Sequence, residues 1–397
     1  MRRLKLLASI VVLSSVLITS CKKEVTSSSS STTPLQGATS KKSDQFSAAS
    51  LKDKFTKLQA LLPTAYKNGL VAKTKFSSKL DPQYRDIVRG MLRVTATPCD
   101  PNTTLVKWLD NQLSDWSNDA FYYAGALDLY DVPAYYALVF ENSSANQSFG
   151  ENGEYTHTLT KTFKDLKRFW NIQSNNIVLV AMHGSVLQDR DKLIETYEAV
   201  YGLDAANATA VADFILELLK AFPEYDNGTN PIFTFNAFSS GGFNYPPYGV
   251  IPPKIIMGDG VLEGYTAIGY GDVAPQAVIA HEYGHQVQFQ LNIFEENTPE
   301  STRQAELMAD AFSAYYLSHA RGASMQWKRV KQFLKVFYNI GDCQFDLVGH
   351  HGTPLQRMAS AEWAYHLAND AQKQGHILPA QTFVRLFYAA YPSIIAQ

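Results

Sequence analysis

The stretch His281-Glu282-Tyr283-Gly284-His285 decides the fold of this chain. Apolar and small residues recur around it at spacings of three and four, which predicts a helix with an apolar side. Residues four apart lie one turn apart on the same helix face, so both imidazoles can reach one metal ion. The carboxylate of Glu282 would then lie beside metal-bound water. The alternative is a helix that carries two ordinary histidines and a solvated glutamate.

The same helix carries two further expectations. We predict that Asp272 is its N-cap and that Pro275 lies in the first turn, where proline is tolerated. Gly284 costs about 1 kcal/mol of helix stability relative to alanine. The close approach of another element would explain a glycine at this position.

A second segment supplies a candidate third ligand. Catalytic zinc takes three protein ligands and keeps a position for water. Residues 302–316 contain no Gly or Pro and favour a helix, and Glu306 and Asp310 share one face of it. We predict that Glu306 binds the metal and that Asp310 accepts a hydrogen bond from a ligand histidine, fixing its tautomer. The alternative is the charged face of a surface helix.

These two motifs resemble those of a known class of zinc peptidases. His-Glu-x-x-His followed by Glu-x-x-x-Asp is similar to the gluzincins, in which the glutamate is the third ligand and the aspartate supports a histidine. Residues 254–367 also resemble a bacterial family of neutral zinc metallopeptidases, through the segments 306–310, 341–342, 351–353 and 356–357. The resemblance implies an α+β fold with a zincin-like catalytic domain: a small sheet, the His-Glu-x-x-His helix and a mainly helical C-terminal part.

The metzincin class does not fit. It requires glycine three residues after the second histidine, and histidine or aspartate six residues after it. This chain has Gln288 and Leu291 at those positions.

The ligand set predicts a mechanism. Zn²⁺ held by His281, His285 and Glu306 would lower the pKa of bound water. Glu282 would accept its proton and pass it to the leaving amine of a peptide. We expect His351, in a loop just before a helix, to stabilise the oxyanion. A loop histidine satisfied by local backbone is the alternative for His351, and the other candidate donors are His350, Arg357 and Tyr365.

Two β-favouring runs precede the His-Glu-x-x-His helix. They are residues 231–238 and 254–259, each bounded by turn residues. We predict two strands that place a sheet edge above the metal. Such an edge, formed by 254–259, could hold an extended peptide by strand addition.

The N-terminus predicts export. A basic start precedes an apolar core at 6–17 that is too short to span a bilayer. Residues 18–21 resemble a bacterial lipobox, which implies that 1–20 is a lipoprotein signal peptide and that Cys21 carries lipid. A plain secretory signal is the alternative. Residues 21–49, rich in Ser, Thr and Lys, predict a disordered tether. We therefore expect a lipid-anchored protein of the bacterial cell envelope, at the outer membrane or cell surface.

Composition limits the remaining possibilities. The net charge is −2 and no basic stripe is present, which argues against a nucleic-acid partner. The folded part exceeds the usual size of a single core. We predict a mainly helical region at 50–150 and the zinc metallopeptidase domain at 151–397. The sequence leaves open the oligomeric state and whether Cys99 and Cys343 pair.

The predicted function is endopeptidase hydrolysis of peptide or protein substrates. An aminopeptidase is disfavoured because no Gly-x-Met-Glu-Asn-like motif is present. The remaining alternative is a surface binding or assembly protein that keeps a peptidase fold without catalysis. Glu282 argues against it, because a structural metal site needs no base.

Overall fold

The computed structural model describes residues 47–66, 68–70, 72–73, 102–293, 298–339, 351–373 and 376–397. Residues 45–397 form one compact unit. Its described part is α+β, which confirms the predicted α+β class, and the zincin-like domain stays a prediction. The predicted division of this part near residue 150 stays a prediction.

Thirteen α-helices are described. Seven precede the central strand of the sheet: α1 Ala48–Leu61, α2 Thr104–Gln112, α3 Asn118–Ala126, α4 Val132–Val139, α5 Thr156–Phe169, α6 Arg190–Thr196 and α7 Ala205–Ala221. Six follow it: α8 Asp259–Ala267, α9 Ala274–Leu291, α10 Pro299–Ser318, α11 Trp327–Asn339, α12 Pro354–Lys373 and α13 Ala380–Ile395.

Five short strands form two sheets in the described part of the chain. They are β1 Val178–Met182, β2 Ala237–Ser240, β3 Phe243–Tyr245, β4 Gly249–Ile251 and β5 Lys254–Gly258. β3 and β4 make an antiparallel hairpin. The larger sheet has the order β1-β5-β2, with β1 parallel and β2 antiparallel to β5.

This order corrects the predicted sheet edge. Residues 254–258 do form a strand, but β5 is the fully buried central strand, so the edge expected there is wrong. Of the run 231–238, only the end enters a strand. Pro231–Thr234 is a 3₁₀ helix, because the Asn230 side chain accepts from the Ile232 amide and proline occupies its first position.

The His-Glu-x-x-His helix, α9, begins without the predicted cap. Its N-cap is Val273, which makes no side-chain cap bond, and Pro275 lies in the first turn. The prediction of Asp272 as N-cap is wrong, because its carboxylate pairs with Arg329 at 2.5 Å. The helix ends at Asn292, whose left-handed conformation is one that asparagine tolerates.

α9 lies between the sheet and α10. Ser239 of β2 donates to the Glu282 carbonyl at 2.6 Å, and Gln286 donates to the carbonyls of Ser240 and Lys254. These contacts hold the sheet side of the helix.

The α10 side of α9 is packed closely. A Cβ atom on Gly284 would lie 3.1 Å from the Cα atom of Ala309, so the expected close approach is confirmed. Ser313 of α10 donates to the Ala277 carbonyl at 2.8 Å. The two helices are therefore held at a fixed separation, which sets the distance between the side chains they present to each other.

Several predictions lie outside the described residues. They concern the signal peptide, the tether through residue 46, Cys21, Cys99, Cys343 and His350. In the described part of the chain, every helix is too short or too polar to cross a bilayer.

Candidate metal centre

Three side chains from two helices meet at one point. His281 and His285 lie one turn apart on α9, and Glu306 lies on α10. The two imidazole Nε2 atoms are 3.1 Å apart. Glu306 places Oε2 3.2 Å from Nε2 of His281 and Oε1 3.2 Å from Nε2 of His285. All three side chains are buried, and the structure brings together the residues that the two motifs predict.

The far side of the His281 ring is held by Asp310. Its Oδ1 lies 2.8 Å from Nδ1 of His281. A carboxylate can only accept here, so Nδ1 carries a proton and Nε2 is the ring nitrogen that faces Glu306. Asp310 makes the contact predicted from its spacing.

Arg357 of α12 fixes that carboxylate. Its Nε donates to Oδ2 of Asp310 and its Nη2 donates to Oδ1, both at 2.7 Å. The arginine side chain is 1% exposed and the aspartate 0%, so this bidentate pair is shielded from water. Arg357 was a candidate oxyanion donor in the sequence; here its guanidinium pairs with Asp310, and its Nη2 also lies 3.6 Å from Oε2 of Glu306.

The far side of the His285 ring is held by a different residue. Nδ1 of His285 lies 2.8 Å from Oε1 of Gln288, whose Nε2 donates to the Ala305 carbonyl at 2.7 Å. Sequence reasoning used Gln288 only to exclude the metzincins and missed this contact. The spacing of three residues on one helix was the available signal.

The electrostatics of the centre favour positive charge. Burial lowers the pKa of His281, but hydrogen bonds to Asp310 and Glu306 outweigh it and raise the pKa to about 10. The pKa of His285 is also raised, because the Glu306 carboxylate outweighs burial. Burial alone would raise the pKa of Glu306, yet the two imidazoles hold it well below its usual range.

The dimensions fit a metal ion. Zinc–ligand bonds of about 2.0–2.2 Å at tetrahedral angles place neighbouring ligand atoms roughly 3.2–3.6 Å apart. The Nε2 and carboxylate oxygen atoms here are separated by 3.1–3.2 Å. With both Nδ1 atoms acting as donors, lone pairs converge on one point, and such an arrangement needs a cation or added protons among them. His281, His285 and Glu306 can therefore hold a metal ion.

Glu282 and His351 lie near this group. Glu282 follows His281 directly in the sequence and its side chain is buried. Its negative charge raises the pKa of His285. His351 is buried in the loop before α12, and its charge contributes to the lowered pKa of Glu306. Gly352, which follows it with a φ of +92°, packs against Leu307. The catalytic roles of Glu282 and His351 remain predictions.

The other described histidines lie apart from this group. His183 forms a pair with Asp259, and His319 contacts the His376 carbonyl. Within the described ranges, one cluster of three or more His, Cys, Asp or Glu side chains is close enough to share a metal ion. It consists of His281, His285 and Glu306.

No protein-family model matches the chain, and no curated protein or solved structure is significantly similar to it. The functional inference therefore depends on the geometry of the centre.

Proposed function

We propose that this protein is a zinc-dependent endopeptidase of the gluzincin type. The observation that carries the proposal is the buried group of two imidazoles and one carboxylate, with 3.1–3.2 Å between their ligand atoms. Structural zinc sites use four protein ligands, whereas catalytic sites use three and leave a position for water. Two nitrogens and one oxygen suit zinc among the common divalent metals.

Zinc bound to these residues would supply a water of lowered pKa and a Lewis acid for the peptide carbonyl. Glu282 would accept a proton from the attacking water on its carboxylate and deliver it to the leaving amine. His351 donates a hydrogen bond to the developing oxyanion. Asp310, fixed by Arg357, keeps the His281 ring oriented through the cycle.

The substrate would bind along β2. This strand pairs with β5 on one side and is an edge strand among the described residues. Ser239 of β2 contacts the Glu282 carbonyl, so the strand lies next to the metal-binding helix. An extended peptide added to this edge would place its carbonyls near the centre. Peptide would therefore bind at the edge strand β2 and not at the strand 254–259 expected from the sequence.

The test uses Glu282→Gln, with Glu263→Gln on α8 as a control that lies outside the centre. We expect the wild type and both variants to retain zinc after dialysis, because none of the changes removes a ligand. Only Glu282→Gln should lose cleavage of a broad peptide library, by at least 100-fold, since general acid–base catalysis contributes about 10²–10⁴-fold. Unchanged cleavage by Glu282→Gln would contradict the mechanism.

The second candidate function is a surface binding or assembly protein that keeps the peptidase fold. Zinc retained by the wild type without cleavage of any library peptide would favour it. The presence of Glu282 between the two histidines favours the enzyme, because a structural site has no use for a base.

The proposed location is the bacterial cell envelope, with lipid attached at Cys21. Incorporation of a labelled fatty acid into the wild type, and its absence from Cys21→Ser, would support the anchor. Export without labelling would favour a plain secretory signal.

A further inference from the structure

We propose that Gln288 is a positioning residue that fixes the tautomer of His285 for metal binding. The inference rests on the proposed metal site and concerns a residue that neither motif includes. It follows from the hydrogen bonds that Oε1 and Nε2 of the Gln288 carboxamide make.

The Ala305 carbonyl determines which way the Gln288 carboxamide points. A backbone carbonyl can only accept, so the NH₂ end of Gln288 must face it, at 2.7 Å. This leaves Oε1 facing Nδ1 of His285 at 2.8 Å. Since Oε1 can only accept, Nδ1 must carry a proton, and Nε2 is the ring nitrogen left to bind a metal ion.

The same contact links the ligands of the two helices. Ala305 immediately precedes Glu306 on α10, while Gln288 lies one turn beyond His285 on α9. Gln288 is 0% exposed, so water does not compete for either bond. A shift of α10 that moved Glu306 would therefore also release the carboxamide that orients His285.

The two ligand histidines are oriented by different chemistry. His281 bonds to a carboxylate that Arg357 holds in a bidentate pair. His285 bonds to a neutral amide, which sets the proton position without adding charge. The second tautomer is thus fixed without a further buried carboxylate beside His285, which would itself need a partner.

A purely structural role for Gln288 can be separated from this one with Gln290. Gln290 lies on the same helix and also makes two backbone bonds, accepting from the Gln173 amide at 2.8 Å and donating to its carbonyl at 2.5 Å. Its described hydrogen bonds involve no imidazole. Gln290 is exposed whereas Gln288 is buried, so Gln290→Met controls for the loss of a glutamine that links two elements, and Gln288→Glu controls for the change in packing.

The experiment compares the full-length wild type with Gln288→Met, Gln288→Glu and Gln290→Met. Zinc affinity is measured by competition with a chelator. The Nδ1 proton of His285 is followed by ¹⁵N NMR in the zinc-loaded protein, where a hydrogen-bonded proton exchanges slowly with solvent. We expect Gln288→Met to weaken zinc binding about 10–100-fold and to lose the slowly exchanging proton. Gln290→Met should change neither.

Gln288→Glu tests the acceptor by itself. A carboxylate at this position can still accept from Nδ1 but, when ionised, cannot donate to the Ala305 carbonyl. We expect the slowly exchanging His285 proton to be retained, and zinc affinity to stay closer to the wild type than in Gln288→Met. Retention in the glutamate variant and loss in the methionine variant would not follow from packing alone.

Two results would overturn the inference. The first is fast solvent exchange of the His285 Nδ1 proton in the wild type. This measurement does not depend on whether a variant folds. The second is a zinc affinity of Gln288→Met within about twofold of that of Gln290→Met, against the 10–100-fold expected. A wild type that retains no zinc would instead overturn the proposed function, and the same NMR measurement on metal-free protein would still test the Gln288 contact.

Discussion

Two histidine–aspartate pairs in this molecule have nearly the same length but different surroundings. Nδ1 of His281 lies 2.8 Å from Asp310, and Nδ1 of His183 lies 2.7 Å from Asp259. The side chains of the first pair are 7% and 0% exposed, and those of the second 33% and 16%. The length of the hydrogen bond therefore does not distinguish a candidate metal ligand from an ordinary histidine.

The difference lies on the other side of each ring. Nε2 of His281 faces a second imidazole and a carboxylate, and its aspartate is held by Arg357. His183 is only half-buried, and it lies within the electrostatic influence of both Glu141 and Lys192. A buried ring whose second nitrogen faces other candidate ligand atoms is what makes His281 part of a candidate metal centre.

The largest expected effect concerns the arginine that holds the buried pair. We expect Arg357→Met to destabilise the metal-free protein by about 3–5 kcal/mol, because it leaves the Asp310 carboxylate buried without its partner. Urea unfolding in the presence of a chelator measures the change.

The control for this variant is an exposed ion pair. Arg329 and Asp272 are 36% and 58% exposed, so Arg329→Met should change the free energy of unfolding by less than about 1 kcal/mol. Equal losses in the two variants would mean that Arg357 acts by general packing and not by compensating Asp310.

An intermediate effect is expected when each aspartate is neutralised. Asp310→Asn should weaken zinc binding about 10–100-fold, because the carboxylate that supports a ligand histidine is lost. Asp259→Asn should leave zinc affinity unchanged, since its histidine belongs to no metal-binding group. Chelator competition measures both. A comparable loss in Asp259→Asn would show that the two pairs are not functionally distinct.

The parts predicted correctly depend on local spacing. Residues four apart share a helix face, so His281 with His285, and Glu306 with Asp310, could be assigned from the sequence. Gly284 indicated a close contact with another element, because glycine destabilises a helix and makes no local interaction that offsets this cost. The α+β class was expected from the resemblance that these two motifs carry.

The parts predicted wrongly or missed depend on contacts between distant residues. A continuous apolar run such as 255–257 is typical of a buried strand, but only pairing with β1 and β2 shows that the strand is central. Arg357 meets Asp310 across 47 residues of sequence, and no spacing rule connects them. The cap at Asp272 failed because a partner in α11 competes for its carboxylate.

The smallest expected effect is the pH dependence of the His183–Asp259 pair. A hydrogen bond to Asp259 raises the pKa of His183, although burial and the charge of Lys192 lower it, and the charges of Asp259 and Glu141 add to the increase. The folded pKa thus lies above the ordinary value of 6.5. The stabilisation is fully present below that ordinary value and is lost as the pH rises through the folded pKa.

Partial exposure limits the size of this contribution to less than about 1 kcal/mol. An NMR titration of the His183 ring should show a pKa above 6.5 in the wild type and a lower one in Asp259→Asn. Zinc affinity near neutral pH should not follow this titration, because His183 lies outside the metal-binding group. A wild-type pKa for His183 at or below that of Asp259→Asn would show that the aspartate does not stabilise the imidazolium. The two pairs would then also differ in whether the aspartate stabilises a positive charge on the imidazole ring.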